Sequence, residues 1–227
     1  MMAQGAKVLG VVPARAGSRR LPGKNTKPIA GKPLIAWTIE AGLSSTCIDR
    51  MMLSSDDDAC IDVAHRLGCE VPFKRPRHLA DDNASSLDVV LHLLDKTSAE
   101  DEGFEWLALL QPTSPLRTAA DIDAAARLCL ETGAESCVGV CGLPKPTSFF
   151  GSIVEGRLSM PSAVESTEAI PCLVNGAIYI TRIDALRKHR SFTSGETVAY
   201  LMPYDRSIDI DEPYEFLMAE ALLRARL

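Results

Sequence analysis

The chain has 227 residues, 46% of them hydrophobic and 24% charged, with a formal net charge of −6. That length suits one domain with a small appendage and is enough to bury a core. The acidic balance argues against a general nucleic-acid binder, which carries a basic excess, but it allows an anionic ligand held by locally clustered cations.

Seven cysteines occur without a CxxC pair. Cys137 and Cys141 lack the second pair or neighbouring histidine of a zinc site, so the thiols read as scattered and reduced. The histidines at 65, 78, 92 and 189 show no metal spacing and read as surface or helix-face residues. The first residues lack an apolar signal core, and no apolar run of about 18 residues occurs. The expectation is a soluble cytoplasmic protein that does not enter a membrane.

In chain order, residues 7–13 read as a short buried strand and 34–43 as a helix. Residues 50–54 form a second strand, and 59–67 a helix with Ile61, Ala64 and Leu67 on one face. Residues 87–94 carry a helical stripe of Leu87, Val90, Leu91 and Leu94. A strand at 106–110 and a helix at 122–130 follow, then strands at 135–140 and 175–181. A short helix at 184–189, a strand at 198–202 and a helix at 213–223 close the chain. Strands alternating with helices predict an α/β fold, a mainly parallel sheet with helices on both faces. In such sheets ligands bind beyond the carboxyl ends of the strands. That rule gathers the loops after Val12, Ser54, Leu110 and Met202 around one crevice. Residues 141–172 break the rhythm with Pro144, Pro146, Pro161 and Pro171 and read as an inserted arm, leaving 1–140 and 173–227 as the catalytic domain.

The sharpest local signal is the run 13–25, Pro-Ala-Arg-Ala-Gly-Ser-Arg-Arg-Leu-Pro-Gly-Lys-Asn. Arg15, Arg19, Arg20 and Lys24 share it with Gly17, Ser18 and Gly23. Glycines bring backbone amides close to phosphate oxygens, Arg supplies forked donors and Lys a mobile point charge. The spacing is neither GxxxxGK[ST] nor GxGxxG. Its position directly after the first buried strand is where an open α/β sheet binds its ligand. Near the other end, Asp209 and Asp211 stand two apart in an extended segment, so their carboxylates share a face. Hard carboxylate oxygens suit Mg²⁺. The competing role for Asp211 is to cap the helix starting near Pro213.

These runs, followed in order by KPIAGKPLIAWTIEA, LLQPTSPLR, NGAIYI and SIDIDEP, resemble the signatures of the acylneuraminate cytidylyltransferases, also called CMP-sialic acid synthetases. The resemblance implies a Rossmann-like nucleotide-diphospho-sugar-transferase fold. It also implies a homodimer whose inserted arm reaches the partner's active site. The implied reaction transfers CMP from CTP to the anomeric hydroxyl of an acidic nine-carbon sugar, with Mg²⁺ held by Asp209 and Asp211 and pyrophosphate leaving. Arg15, Ser18 and Lys24 would hold the CTP phosphates and Asn25 the ribose or base side, with Arg15, Lys24 and Asp211 as the catalytic groups. Arg75, Ser85 and Ser86 resemble the cytosine-recognition segment; the two serines serve equally as a helix N-cap. Gln111 and Arg117 would lie on the sugar side, and Arg117 alternatively flanks a helix. Asn175, Tyr179 and Phe192 would line the sugar pocket, with strand packing the alternative for Tyr179. Asp56, Asp57 and Asp58 read as a solvated helix start.

One departure stands out. Many sialic-acid members carry an arginine just before Pro-Asn-Gly, where this chain has Cys172-Leu173-Val174 before Asn175. The expected substrate is therefore a nonulosonic acid, sialic or legionaminic in type. A related nucleotidyltransferase for Kdo or another sugar, and a non-catalytic nucleotide-binding module of the same fold, are the alternatives.

Overall fold

A computed structural model describes residues 6–18, 20–81, 84–100, 102–160 and 170–226. Arg19 of the basic run, Asp82 and Asn83 of the expected cytosine segment, and residues 161–169 of the expected arm lie outside the described residues. β1 (Lys7–Ala14) leads through the basic run and a two-stranded ribbon, β2 (Pro28–Ile29) and β3 (Lys32–Pro33), into α1 (Leu34–Leu43). β4 (Arg50–Ser55), α2 (Asp58–Leu67), α3 (Ser86–Thr97), β5 (Phe104–Leu109), α4 (Ala119–Thr132) and β6 (Ser136–Gly142) follow. A hairpin of β7 (Ser152–Val154) and β8 (Arg157–Ser159) precedes β9 (Cys172–Arg182), α5 (Ile183–His189), β10 (Thr197–Met202) and α6 (Pro213–Arg224).

Six strands make one sheet in the order β10-β6-β9-β5-β1-β4. β4 and β5 pair parallel with β1, and β10 pairs parallel with β6. β9 runs against both neighbours, β5 and β6. The mainly parallel expectation therefore holds with one reversed strand. The segment between β6 and β9 contains only the small hairpin and turns among its described residues, so no helical crossover carries the chain back to a parallel start. The register Cys141↔Leu173 and Gly142↔Cys172 extends the sheet into the segment assigned to the arm. Cys141, Gly142 and Cys172 are thus sheet residues, a correction to the 141–172 boundary.

Side chains of β1 alternate between two cores, as a strand covered on both faces requires. Val8 and Val12 join α1, α2 and α4 through Ile35, Ile39, Val63, Ile122 and Ala125. Leu9 and Val11 join α3 and α5 through Val90, Leu94, Ile183 and Leu186. On α2 the buried residues are Cys60, Val63 and Ala64, while Ile61 and Leu67 are half-buried. The apolar face is thus rotated about one residue from the expected stripe, toward Cys60 and Val63. A third cluster joins Leu21, Ile29, Leu34, Leu116, Ile210 and Phe216, tying the basic run to the last helix.

Helix ends follow their local chemistry. Asp57 caps α2 and Ser85 caps α3 through side-chain oxygens. Thr118 and Asp121 form a capping box on α4. In the β7–β8 hairpin, Glu155 and Gly156 both have positive φ (50° and 77°), the geometry of a two-residue turn. All seven cysteines are unbridged. No helix among the described residues is long and apolar enough to cross a membrane.

Candidate active site

From β1 the chain passes through α1 to β4 on one side; from β5 it passes through α4 to β6 on the other. The crevice between β1 and β5 is therefore the switch point of the sheet, where an open α/β fold binds its ligand. A cleft of about 630 Å³ lies there. Arg15, Gly17, Ser18, Arg20, Lys24 and Asn25 line one side, Gln111, Pro112 and Thr113 the β5 side, and Asp209 and Asp211 close it. Pro13, Arg75, Leu79, Asp81, Ala84, Ser86 and Val89 complete the wall. The loop after β10 thus reaches the same crevice from the far edge of the sheet.

Lys24 is buried and fixed. Its Nζ donates to the Ile210 carbonyl at 2.6 Å and to Asp211 Oδ1 at 3.1 Å. Gly23, at φ 66°, supplies the left-handed residue that turns the chain into the short 3-10 turn carrying Lys24 and Asn25. Asn25 Nδ2 donates to the Arg15 carbonyl at 3.2 Å, while its buried Oδ1 has no partner among the described residues. Arg15 Nη1 donates to the Asp81 carbonyl at 3.0 Å. Asp56 Oδ1 accepts the Ala16 amide at 3.0 Å and so holds the entry to the loop. Asp57 caps α2, and Asp58 pairs with Lys74.

Alternation sets the acidic pair. Ile210 is fully buried in the third cluster and its amide donates to the Thr113 carbonyl at 2.8 Å, which turns its two neighbours toward the cleft. Asp209 Oδ1 is buried without a partner among the described residues. Burial raises the Asp209 carboxyl above the ordinary carboxylate range; Asp211's charge adds to the rise, while a Thr113 hydrogen bond and Lys24 oppose it. Asp211 goes the other way. Burial pulls it upward, but the Lys24 hydrogen bond and the charges of Lys24 and Arg20 outweigh that and hold it low. Asp211 does not cap α6. Glu212 does, in a capping box with Glu215, while Glu215 Oε2 accepts the Asp211 amide at 2.7 Å. The Asp211 carboxylate is thereby left to the cleft. Among the described residues no group of three or more His, Cys, Asp or Glu could hold a metal ion. Asp209 and Asp211 are the carboxylates that could supply two oxygens to a hard divalent cation whose shell is completed by phosphate and water.

Gly176, at φ 71°, lies behind this pair. A Cβ there would stand 3.0 Å from Asp209 Oδ2 and 3.1 Å from Gln111 Oε1, so glycine lets both polar side chains approach the strand.

Several expected residues sit outside the cleft wall. Ser85 Oγ accepts the Asp88 amide at 3.1 Å and donates to Asp88 Oδ2 at 2.7 Å, so it serves as the cap; Ser86 beside it faces the cleft. Arg117 is buried, neither a wall residue nor a surface cation. Its Nε donates to the Ala177 carbonyl at 2.7 Å and its Nη2 to the Gln111 carbonyl at 2.5 Å, bracing both strands under the site. Burial lowers its pKa to about 9. Asn175 is also buried: Nδ2 donates to Ser207 Oγ at 3.0 Å and Oδ1 accepts the Ala177 amide at 3.1 Å. It ties β9 to the loop bearing the acidic pair. Tyr179 and Phe192 contact each other, ring centroids 5.6 Å apart, and pack against the second core. Arg75 lines the cleft, yet it donates to Ser54 Oγ at 3.1 Å and to the Ser54 carbonyl, so much of its fork is spent on β4. Burial lowers it to about 10.

Thr113 escapes a motif reading because its role is set by a contact with Ile210, far along the chain. The ion pair of Arg206 with buried Asp121 (2.7 Å), joined by Tyr200, gave no spacing signal either. Arg20 was visible as one cation of the loop, but its partners Asp211 and Glu212 lie more than 190 residues away.

An open α/β sheet that faces cations against paired carboxylates across its switch point suits a ligand that carries phosphates. The family model described as Cytidylyltransferase matches residues 9–167, and the chain belongs to that family. It is a nucleotidyltransferase. It is 39% identical over 225 residues to the CMP-N,N'-diacetyllegionaminic acid synthase of Legionella pneumophila, covering 96% of both chains. It is 31% identical to the N-acylneuraminate cytidylyltransferase of Escherichia coli over 94% of its own length, spanning 51% of that longer protein. Among solved structures, CMP:2-keto-3-deoxy-manno-octonic acid synthetase complexed with CTP superposes with a TM-score of 0.72 at 19% identity, covering 98% of this chain and 100% of that one, a likeness of fold.

Proposed function

We propose that the enzyme transfers CMP from CTP to the anomeric hydroxyl of a nine-carbon nonulosonic acid of legionaminic type, with Mg²⁺ bound by Asp209 and Asp211. The carrying observation is one cleft lined by Arg15, Ser18, Lys24 and the Asp209/Asp211 pair. The full-length similarity to a CMP-diacetyllegionaminic acid synthase supports the sugar class. The Leu173-Val174 that precede Asn175, in place of the Arg-Pro of many sialic-acid members, fit a nonulosonic acid other than sialic acid.

The donor set suits the ion: Asp209 keeps a buried oxygen unpartnered, and its neighbour carboxylate faces the same volume. A bound Mg²⁺ would neutralise phosphate charge there. The chain's own residues do the rest. Lys24, pinned by the Ile210 carbonyl, presents a fixed positive charge to the leaving pyrophosphate. Arg15 and the open backbone at Gly17 and Ser18 orient the triphosphate. Arg117 and Asn175 hold Gln111 and the acidic loop in place from behind.

The same reading makes the enzyme a cytoplasmic homodimer, joined by the arm between β6 and β9. Phe149 (72% exposed), Ile153 (80%), Leu158 (71%) and Ile170 (74%) leave an apolar surface there that a second copy would cover. Light scattering should give a dimer mass that Ile153→Glu lowers.

The decisive assay is pyrophosphate release with CTP against a panel of nine-carbon and eight-carbon keto acids. Fast turnover with a 5,7-diacylamino nine-carbon acid and CTP alone among the four nucleotides is expected. Preference for the eight-carbon acid, or for another nucleotide, refutes the substrate assignment.

A further inference from the structure

Arg20 rests on two carboxylates, Asp211 of the proposed metal site and its neighbour Glu212. Its Nη2 donates to Asp211 Oδ2 at 2.8 Å and its Nη1 to Glu212 Oε1 at 3.0 Å. Lys24 takes the other oxygen, Asp211 Oδ1, at 3.1 Å. Both oxygens of Asp211 therefore already carry a cation.

The two cations are not equivalent. The Lys24 side chain is 10% exposed and has a second anchor on the Ile210 carbonyl. The Arg20 side chain is 57% exposed, lies at the cleft mouth with Gly17 and Ser18, and reaches Asp211 from solvent. A divalent cation in contact with Asp211 meets electrostatic repulsion from a guanidinium on the same carboxylate, and the mobile partner is the one that yields. An incoming polyphosphate offers Arg20 a replacement that matches its planar fork.

We propose that Arg20 is an exchangeable counter-ion, held on Asp211 and Glu212 in the nucleotide-free enzyme and transferred to the polyphosphate when nucleotide binds, which frees Asp211 for the metal. The inference rests on the metal reading of Asp209 and Asp211. Its consequence is coupling: metal alone competes with Arg20, whereas nucleotide removes the competitor, so each ligand strengthens the other.

The test uses the full chain and two probes measured separately. Mn²⁺ binding without nucleotide is followed by the electron paramagnetic resonance of the free ion, and CTP binding without metal by calorimetry. Arg20→Gln should bind Mn²⁺ more tightly than wild type, by about two- to fivefold, the scale of one exposed ion pair. The same variant should bind CTP about two- to tenfold more weakly, the scale of one phosphate contact. Arg20→Lys, which keeps the charge but loses the fork, should lie near wild type for Mn²⁺ and between wild type and Arg20→Gln for CTP. Opposite signs for the two ligands are the signature, because a merely structural arginine weakens both or neither. Unchanged or weaker Mn²⁺ binding in Arg20→Gln, with Asp211→Asn losing Mn²⁺, overturns the inference and leaves the metal reading intact. Unchanged CTP binding in Arg20→Gln overturns the exchange as well. If Asp211→Asn binds Mn²⁺ as wild type does, the metal reading falls and takes this inference with it.

Discussion

Replacing Lys24 by methionine keeps a buried unbranched side chain and removes the charge, so it isolates the electrostatic role. Two bonds disappear, to the Ile210 carbonyl at 2.6 Å and to Asp211 Oδ1 at 3.1 Å. A hydrogen bond involving a charged group contributes about 1.5–3 kcal/mol, and the released desolvation cost of the ammonium offsets part of it. For two such bonds in a chain of this size the fall in Tm is about 6–24 °C before that offset, which lowers it. The larger effect falls on the reaction. Losing one preorganised positive group at the developing charge costs roughly 2.7–4 kcal/mol, about 10²–10³ in kcat. Pyrophosphate release at saturating CTP reads that loss, with circular dichroism confirming the fold. Because Lys24 is assigned to the leaving group, kcat should fall by more than KM for CTP rises. A kcat within about threefold of wild type would refute the assignment.

Other outcomes follow from the same geometry. Asp209 has a raised carboxyl, so its ionised form costs folding energy that sets in as pH rises above about 4. Asp209→Asn should therefore melt at or above the wild-type temperature at pH 7, with the gap closing toward pH 4, while turnover falls roughly 10²-fold. Gly176→Ala places a Cβ 3.0 Å from Asp209 Oδ2 in a left-handed conformation. It should cost about 1–2 kcal/mol and weaken Mn²⁺ binding, the latter measured directly by titration. Asp121 is buried and held low, burial being outweighed by the Arg206 and Thr118 hydrogen bonds, so its contribution is full above about pH 4 and lost as pH falls through its folded pKa. Asp121→Asn should lower Tm by about 10 °C at neutral pH, and thermal melts below pH 4 should show the difference shrinking.

Where sequence reasoning fell short, the missing information was contact rather than chemistry. The helix 34–43 was legible to the residue because its apolar positions, and the proline before it, are local features. On α2 the stripe was read one residue off, since Cys60 is a poor apolar signal and yet is fully buried. The reversed direction of β9 is invisible in a run of apolar residues, for both strand senses share that pattern. Arg117 and Asn175 are polar residues whose burial and backbone partners no local pattern shows; Arg117 Nη1 keeps no hydrogen-bond partner among the described residues.

By itself the sequence determined the alternation of strands and helices, the basic loop after β1 and the paired aspartates, because these depend on periodicity and residue type over short spans. The rule for open sheets also gathered the loop and the aspartates around one crevice; tertiary structure decided the contacts within it. It decided that Arg20 rests on Asp211 and Glu212, and that Lys24 reaches Asp211. Those facts depend on which residues far apart in the chain are brought within hydrogen-bond distance by the sheet order, and no local pattern encodes that distance.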